Sequence, residues 1–123
     1  MKEEIILKLV QIQNQFRFLH WQTTGDAKHR AYGGIYETLD ELMDKFAEAC
    51  MGKHGRFEFD DEFMISFQDI RAISLQNFID GITEFLVSFN DSYDSKYDSD
   101  LLNLRDEMLL EINKLKYLLT LKS

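Results

Sequence analysis

Apolar residues recur at steps of three and four in four separate stretches of the chain. That spacing places side chains on one face of an α-helix. The first stretch, about Lys2 to Trp21, carries Ile5, Leu9, Ile12, Phe16 and Leu19 in one stripe. Ile6, Val10 and Trp21 form a second, weaker stripe, and a helix apolar on two sides has more than one neighbour. The second stretch, about Asp26 to Met51, carries Ala31, Ile35, Leu39, Leu42, Phe46 and Ala49. The third, about Ala72 to Phe89, carries Leu75, Phe78, Ile82, Phe85 and Phe89. The fourth, about Ser99 to Leu121, carries Leu101, Leu104, Met108, Ile112, Leu115 and Leu119. Four long amphipathic helices predict an all-α fold, a four-helix bundle.

The connections carry their own signals. Thr23-Thr24-Gly25-Asp26 reads as a turn, with Gly25 in the left-handed conformation that ends a helix and Asp26 as the next N-cap. Gly52 and Gly55 close the second helix. In residues 53–71, Phe57 and Phe59 alternate with polar positions as in an extended segment, and Asp60-Asp61-Glu62 suits the start of a short helix carrying Phe63, Ile65 and Phe67. The segment is too aromatic for a flexible linker and reads as an ordered crossing over the bundle. Gly81, inside the third helix, costs about 1 kcal/mol against alanine and suggests close helix packing there. Residues 90–98 form a polar connection.

Composition bounds the picture. A chain of 123 residues predicts one domain, residues 1–123, and 45% hydrophobic with 29% charged residues is globular rather than disordered. Proline is absent, as long helices allow. A single cysteine, Cys50, rules out an intrachain disulfide and fits a reducing, cytoplasmic compartment. No apolar run approaches the ~20 residues of a membrane span, and Met1-Lys2-Glu3-Glu4 is too acidic to open a signal peptide. The net charge of −8 argues against general affinity for nucleic acid or anionic membranes. It permits cation binding.

The candidate chemistry lies in His20, His29, Asp44 and Glu48. A turn brings His29 back near His20, and two imidazoles at a helix–turn–helix junction make a metal half-site. Asp44 and Glu48, four residues apart, share a helix face and suit cations. The bland reading is that acids on a polar helix face are solvated surface. Distance adds a condition: fifteen residues separate His29 from Asp44, roughly 22 Å of helix. The four can meet only if a second chain packs antiparallel, so a shared site requires a two-fold homodimer.

The run His20-Trp21, Gly25, His29, Asp44 and Glu48 resembles the ferroxidase pattern of the Dps branch of the ferritin-like superfamily. The resemblance covers about residues 12–52. The spacing from His29 to Asp44 to Glu48 agrees with the family, whereas the interval between the two histidines is three residues shorter. It implies a ferritin-like bundle, a homodimer or higher homo-oligomer, and iron held by His20 and His29 of one subunit with Asp44 and Glu48 of another. Oxidation of Fe(II) by peroxide or oxygen is the implied activity, with no catalytic residue beyond the metal ligands. The family's Lys-rich DNA-binding tail has no counterpart here. The stretch LHWQTTGDAKHRAYGGIYETLDELMDKFAEACMGKHGR also resembles a group of uncharacterised tailed-phage proteins. The competing reading is therefore a non-enzymatic helical-bundle interaction or structural protein, phage-encoded, with a relic metal site.

Other residues have simpler roles at this level. Trp21 is a packing or interface residue, Tyr32 and Tyr36 are interface aromatics, His54 is exposed in a loop, and Cys50 is a small buried hydrophobe. Glu37, Glu41, Asp44 and Glu48 could hold Mg²⁺ as in a helical nucleotide pyrophosphatase, but the third helix offers only Asp80 and Glu84 as a second cluster.

Overall fold

The computed structural model describes residues 2–121, and its ordered elements are all helical, with no strand among the described residues. They are α1 (Lys2–Gln22), α2 (Asp26–His54), α3 (Leu75–Val87), the short α4 (Phe89–Ser92) and α5 (Ser99–Leu118). The predicted apolar stripes meet in one core, where Phe16, Phe46, Phe89, Leu101, Met108 and Ile112 are fully buried. Aromatic contacts knit the layers: Phe16 meets Phe78 of α3 at 5.1 Å between centroids, and Phe46 meets Phe89 at 5.5 Å.

The four-helix bundle is as the periodicity predicts, and several details differ. Gly25 is extended (φ −92°, ψ 137°) rather than left-handed, and it is the N-cap itself, with Asp26 the first helical residue. The left-handed stop falls at Gly55 (φ 89°), whose N–H donates to the Met51 carbonyl. Gly52 lies inside α2. Gly81 is exposed with open space around it, so no helix approaches it closely. No helix forms at Asp60-Asp61-Glu62.

Antiparallel α1 and α2 form a hairpin whose open end joins Lys2 to the end of α2: the Lys2 ammonium donates to the carbonyls of His54 and Gly55 at 2.8 and 2.9 Å. From there residues 55–74 travel back along the outside of α1 as a strap, so that α3 starts at the far end and runs parallel to α2. The strap has no ladder partner, and its backbone is met by side chains of α1. Glu3 accepts from the Glu58 N–H at 3.1 Å, which holds the Glu3 carboxyl below its ordinary range. Gln11 donates to the Ser66 carbonyl at 3.0 Å. Gln15 both donates to the Gln68 carbonyl and accepts from its N–H, each at 2.9 Å. Gln22 accepts from the Ile70 N–H at 2.9 Å and donates to Asp69 at 2.7 Å. Steps of four and seven put Gln11, Gln15 and Gln22 on one helix face.

Arg105 is buried in α5, where an apolar stripe leaves no evident place for a cation. Its guanidinium donates to the Leu86 carbonyl, to Asn90 Oδ1 and to Asp106 Oδ1, each at 2.8 Å. It thereby satisfies an end carbonyl of α3 and ties the α3–α4 corner to α5. Arg105→Ala leaves that carbonyl without its partner, and a loss of about 2–3 kcal/mol is expected in urea unfolding. Arg105→Lys should recover little of it, because an ammonium cannot reproduce the planar fork.

Asp69 anchors the strap's end. The Arg71 side chain and N–H, then Gln22, donate to its carboxylate, which holds its pKa down at about 2. A depressed carboxyl pKa stabilises the folded state above the ordinary value of 3.8 and loses that effect as pH falls through about 2. Hydrogen exchange at the Ile70 and Arg71 amides should accelerate, relative to the helix amides, as pH falls from about 4 to about 2.

Candidate functional site

His20 lies in the last turn of α1 and His29 in the first turn of α2. The short turn between them folds the helices back so that the two imidazoles stack, with centroids 3.9 Å apart and planes 18° from parallel. His20 Nδ1 is 2.6 Å from the His29 carbonyl, and His29 Nδ1 is 2.8 Å from the His20 carbonyl. A carbonyl only accepts, so each Nδ1 carries the hydrogen and donates it. The His20 carbonyl is one of those a helix C-terminus leaves unpaired, so His29 caps α1 from the next helix. The pair is a reciprocal clasp across the turn.

Gly33 makes room for it. A Cβ there would stand 2.8 Å from His20 Cε1, too close for the ring to stay where it is, and a tight 3.0 Å from Nδ1. The Gly33-Gly34 pair inside a helix was the visible signal, since helical glycine usually has a packing reason. The four glutamines Gln11, Gln13, Gln15 and Gln22 of α1 were a second signal, and the sequence reading passed over both. Gln13 is buried and donates to Asp40 of α2 at 2.9 Å.

Asp44 and Glu48 are exposed on the outward face of α2 with Glu37, Asp40 and Glu41. They do not approach the histidines, which lie about 22 Å away along the helix. Among the described residues, no three His, Cys, Asp or Glu side chains come close enough together to hold a metal ion. The expectation of bound iron is therefore corrected, and ferroxidase chemistry finds no support in His20, His29, Asp44 and Glu48 as one chain places them. The physical reason is the ligand count: the clasp leaves only the two Nε2 atoms clear of backbone, and no third His, Cys, Asp or Glu side chain of the described residues joins them. The homodimer rested on that shared site and loses this support.

Of the other expected aromatics, Tyr32 is the one that sits differently. Tyr32 belongs to the core of its own chain, 3% exposed, and burial raises its phenol pKa. Tyr36 is half-buried beneath the Arg17 guanidinium, 4.3 Å from its ring centre. Trp21 is 62% exposed. At the opposite end of the bundle, Lys53 bonds Asp100 and the Tyr97 carbonyl, and His54 Nε2 lies 3.5 Å from Asp98. A cleft of about 320 Å³ opens there beside Lys2, Tyr93 and Asp98. Cys50 is buried behind it, and burial pushes its thiol pKa up, which disfavours the nucleophilic thiolate. These groups tie the end of α2 to the start of α5 and leave no reactive arrangement.

With the geometry of the clasp and the strap established, the family follows from comparison with known proteins. The chain belongs to a family of unknown function, DUF5856. That family's model matches residues 20–119, from His20 through the end of α5. The chain is also 37% identical over 54 residues to an uncharacterized 14.6 kDa protein in the mobD-ri intergenic region of Enterobacteria phage T4. The shared stretch is 44% of this chain and 42% of that relative, so it spans less than half of the relative's length. No solved structure matches. The expected resemblance to phage proteins is borne out, and none of these comparisons links the chain to the Dps branch. No helix among the described residues is long and apolar enough to cross a membrane.

The clasp gives a test within this DUF5856 member. Gly33→Ala should displace the His20 ring and cost about 1–3 kcal/mol of thermal stability. Long-range ¹H–¹⁵N spectra should show both imidazoles as Nδ1–H tautomers in the parent protein, with the His20 pattern lost in the variant.

Proposed function

We propose that this DUF5856 chain is a non-enzymatic helical-bundle interaction protein of phage origin, acting through its surface rather than through a reactive centre. One observation carries the reading: large apolar side chains remain exposed in a row along α1 and the strap. Trp21 is 62% exposed, Phe63 52% and Met64 96%. Trp21 and Phe63 are held in place by neighbouring rings. Trp21 meets Phe18 edge-on at 5.6 Å and lies under Arg17 at 5.7 Å, and Phe18 meets Phe67 of the strap at 5.1 Å. Apolar surface organised in this way is typical of contact sites. The similarity to a protein of phage T4 supports the phage origin.

The test is a photo-crosslinking amino acid placed singly at Trp21, Phe63, Lys116 and Glu107, in cells producing the protein during phage growth. The expected outcome is one adduct of constant mass from Trp21 or Phe63 and none from Glu107. An adduct at twice 14.6 kDa would identify a second copy as the partner. Absence of an adduct from every position would sink the reading.

A further inference from the structure

The first half of the strap has a composition unlike the rest of the surface. Residues 57–64 read Phe-Glu-Phe-Asp-Asp-Glu-Phe-Met, four carboxylates and no cation. Among the described residues, Glu58, Asp60, Asp61 and Glu62 form no ion pair. The aromatics touch in sequence: Phe57 and Phe59 are tilted at 47° with centroids 6.1 Å apart, and Phe59 stacks on Phe63 at 5.0 Å with planes 30° apart. Phe59 and Phe63 stay exposed nonetheless. Met64, almost wholly exposed, stands beside Ile65 at the wall of a groove of about 300 Å³. The opposite wall is α1, with Leu7 between Glu4 and Lys8. The loop therefore offers an aromatic ledge, an adaptable thioether and four exposed carboxylates.

We propose that residues 57–64 and the adjoining groove dock a basic amphipathic segment of another protein, its apolar face on Phe59, Phe63 and Met64 and its Lys or Arg side chains on Glu58, Asp60, Asp61 and Glu62. This rests on the reading of the chain as an interaction protein. Charge complementarity selects the occupant. Phosphate-bearing partners are repelled by the four carboxylates. A second copy is disfavoured because the chain carries 22 acidic against 14 basic residues, so this loop would meet a surface of its own sign. Methionine beside stacked rings suits an apolar face of variable shape.

The probe is a labelled synthetic helical peptide of lysine and leucine in amphipathic order, with glutamine–leucine and glutamate–leucine peptides of the same order as controls. Fluorescence anisotropy should show binding of the lysine peptide alone, weakening as salt rises. Phe63→Ser with Met64→Ser should weaken it about tenfold, and so should the triple variant D60N, D61N and E62Q. The triple variant E37Q, E41Q and E48Q removes equal charge from α2 and should change binding less than about twofold. All of these positions are exposed, and circular dichroism checks that the fold is retained. Equal loss from the α2 variant would reduce the effect to bulk charge and overturn the proposal. Equal binding of the glutamine peptide would also overturn it. So would a dimer in sedimentation, or adhesion to phosphatidylcholine vesicles, that Phe63→Ser with Met64→Ser abolishes. The crosslinking experiment remains independent: an adduct from Trp21 with no peptide binding at the loop would retain the interaction reading and discard this site.

Discussion

Everything outside the core follows from one constraint: α2 and α3 run in the same direction. The chain leaving α2 must travel the whole length of the bundle before α3 can begin, and it does so in water, on the outside, without a strand partner. Backbone polar groups in such a segment need partners from elsewhere. The glutamines of α1 supply them, each long enough to reach across and able to donate and accept at once. Gln15 does both to one residue, Gln68. The polar positions of α1 are thus a second packing surface, and they explain why that helix has neighbours on more than one side.

The same economy of partners governs the turn between α1 and α2. A helix end leaves carbonyls unpaired, and a three-residue turn has few groups to offer. The two histidines resolve this by reaching across to each other's backbone over Gly33. Histidine pairs attract a metal reading because imidazole is a common ligand. Here one nitrogen of each ring is part of the fold's own hydrogen bonding, and the acidic residues that would complete a site lie on another part of α2.

The bundle was legible in the sequence because periodicity reports which side chains avoid water, and Ile12, Phe46, Met108 and Ile112 do so as their spacing requires. What stayed illegible were the residues whose roles depend on a distant partner. Arg105 looks like a surface cation until Leu86 and Asn90 are placed beside it. Asp60-Asp61-Glu62 carries the local signal of a helix start, yet no helix forms there. Gly81 signalled close packing and met open space, since local conformational cost does not reveal what lies opposite. His20 and His29 lie on different helices, and their spacing could not show that the two rings meet face to face.

The glutamine-anchored strap also bears on how the molecule comes together. The contact between Gln15 and Gln68 spans 53 residues, whereas the histidine clasp spans nine. Closing the longer loop costs more entropy and gains little until α1 already presents its glutamines in register. Contact order thus favours a hairpin that forms before the strap closes onto it. A partner docking on the strap's aromatic, acidic half would meet a surface whose placement is set by the α1 side chains beneath it.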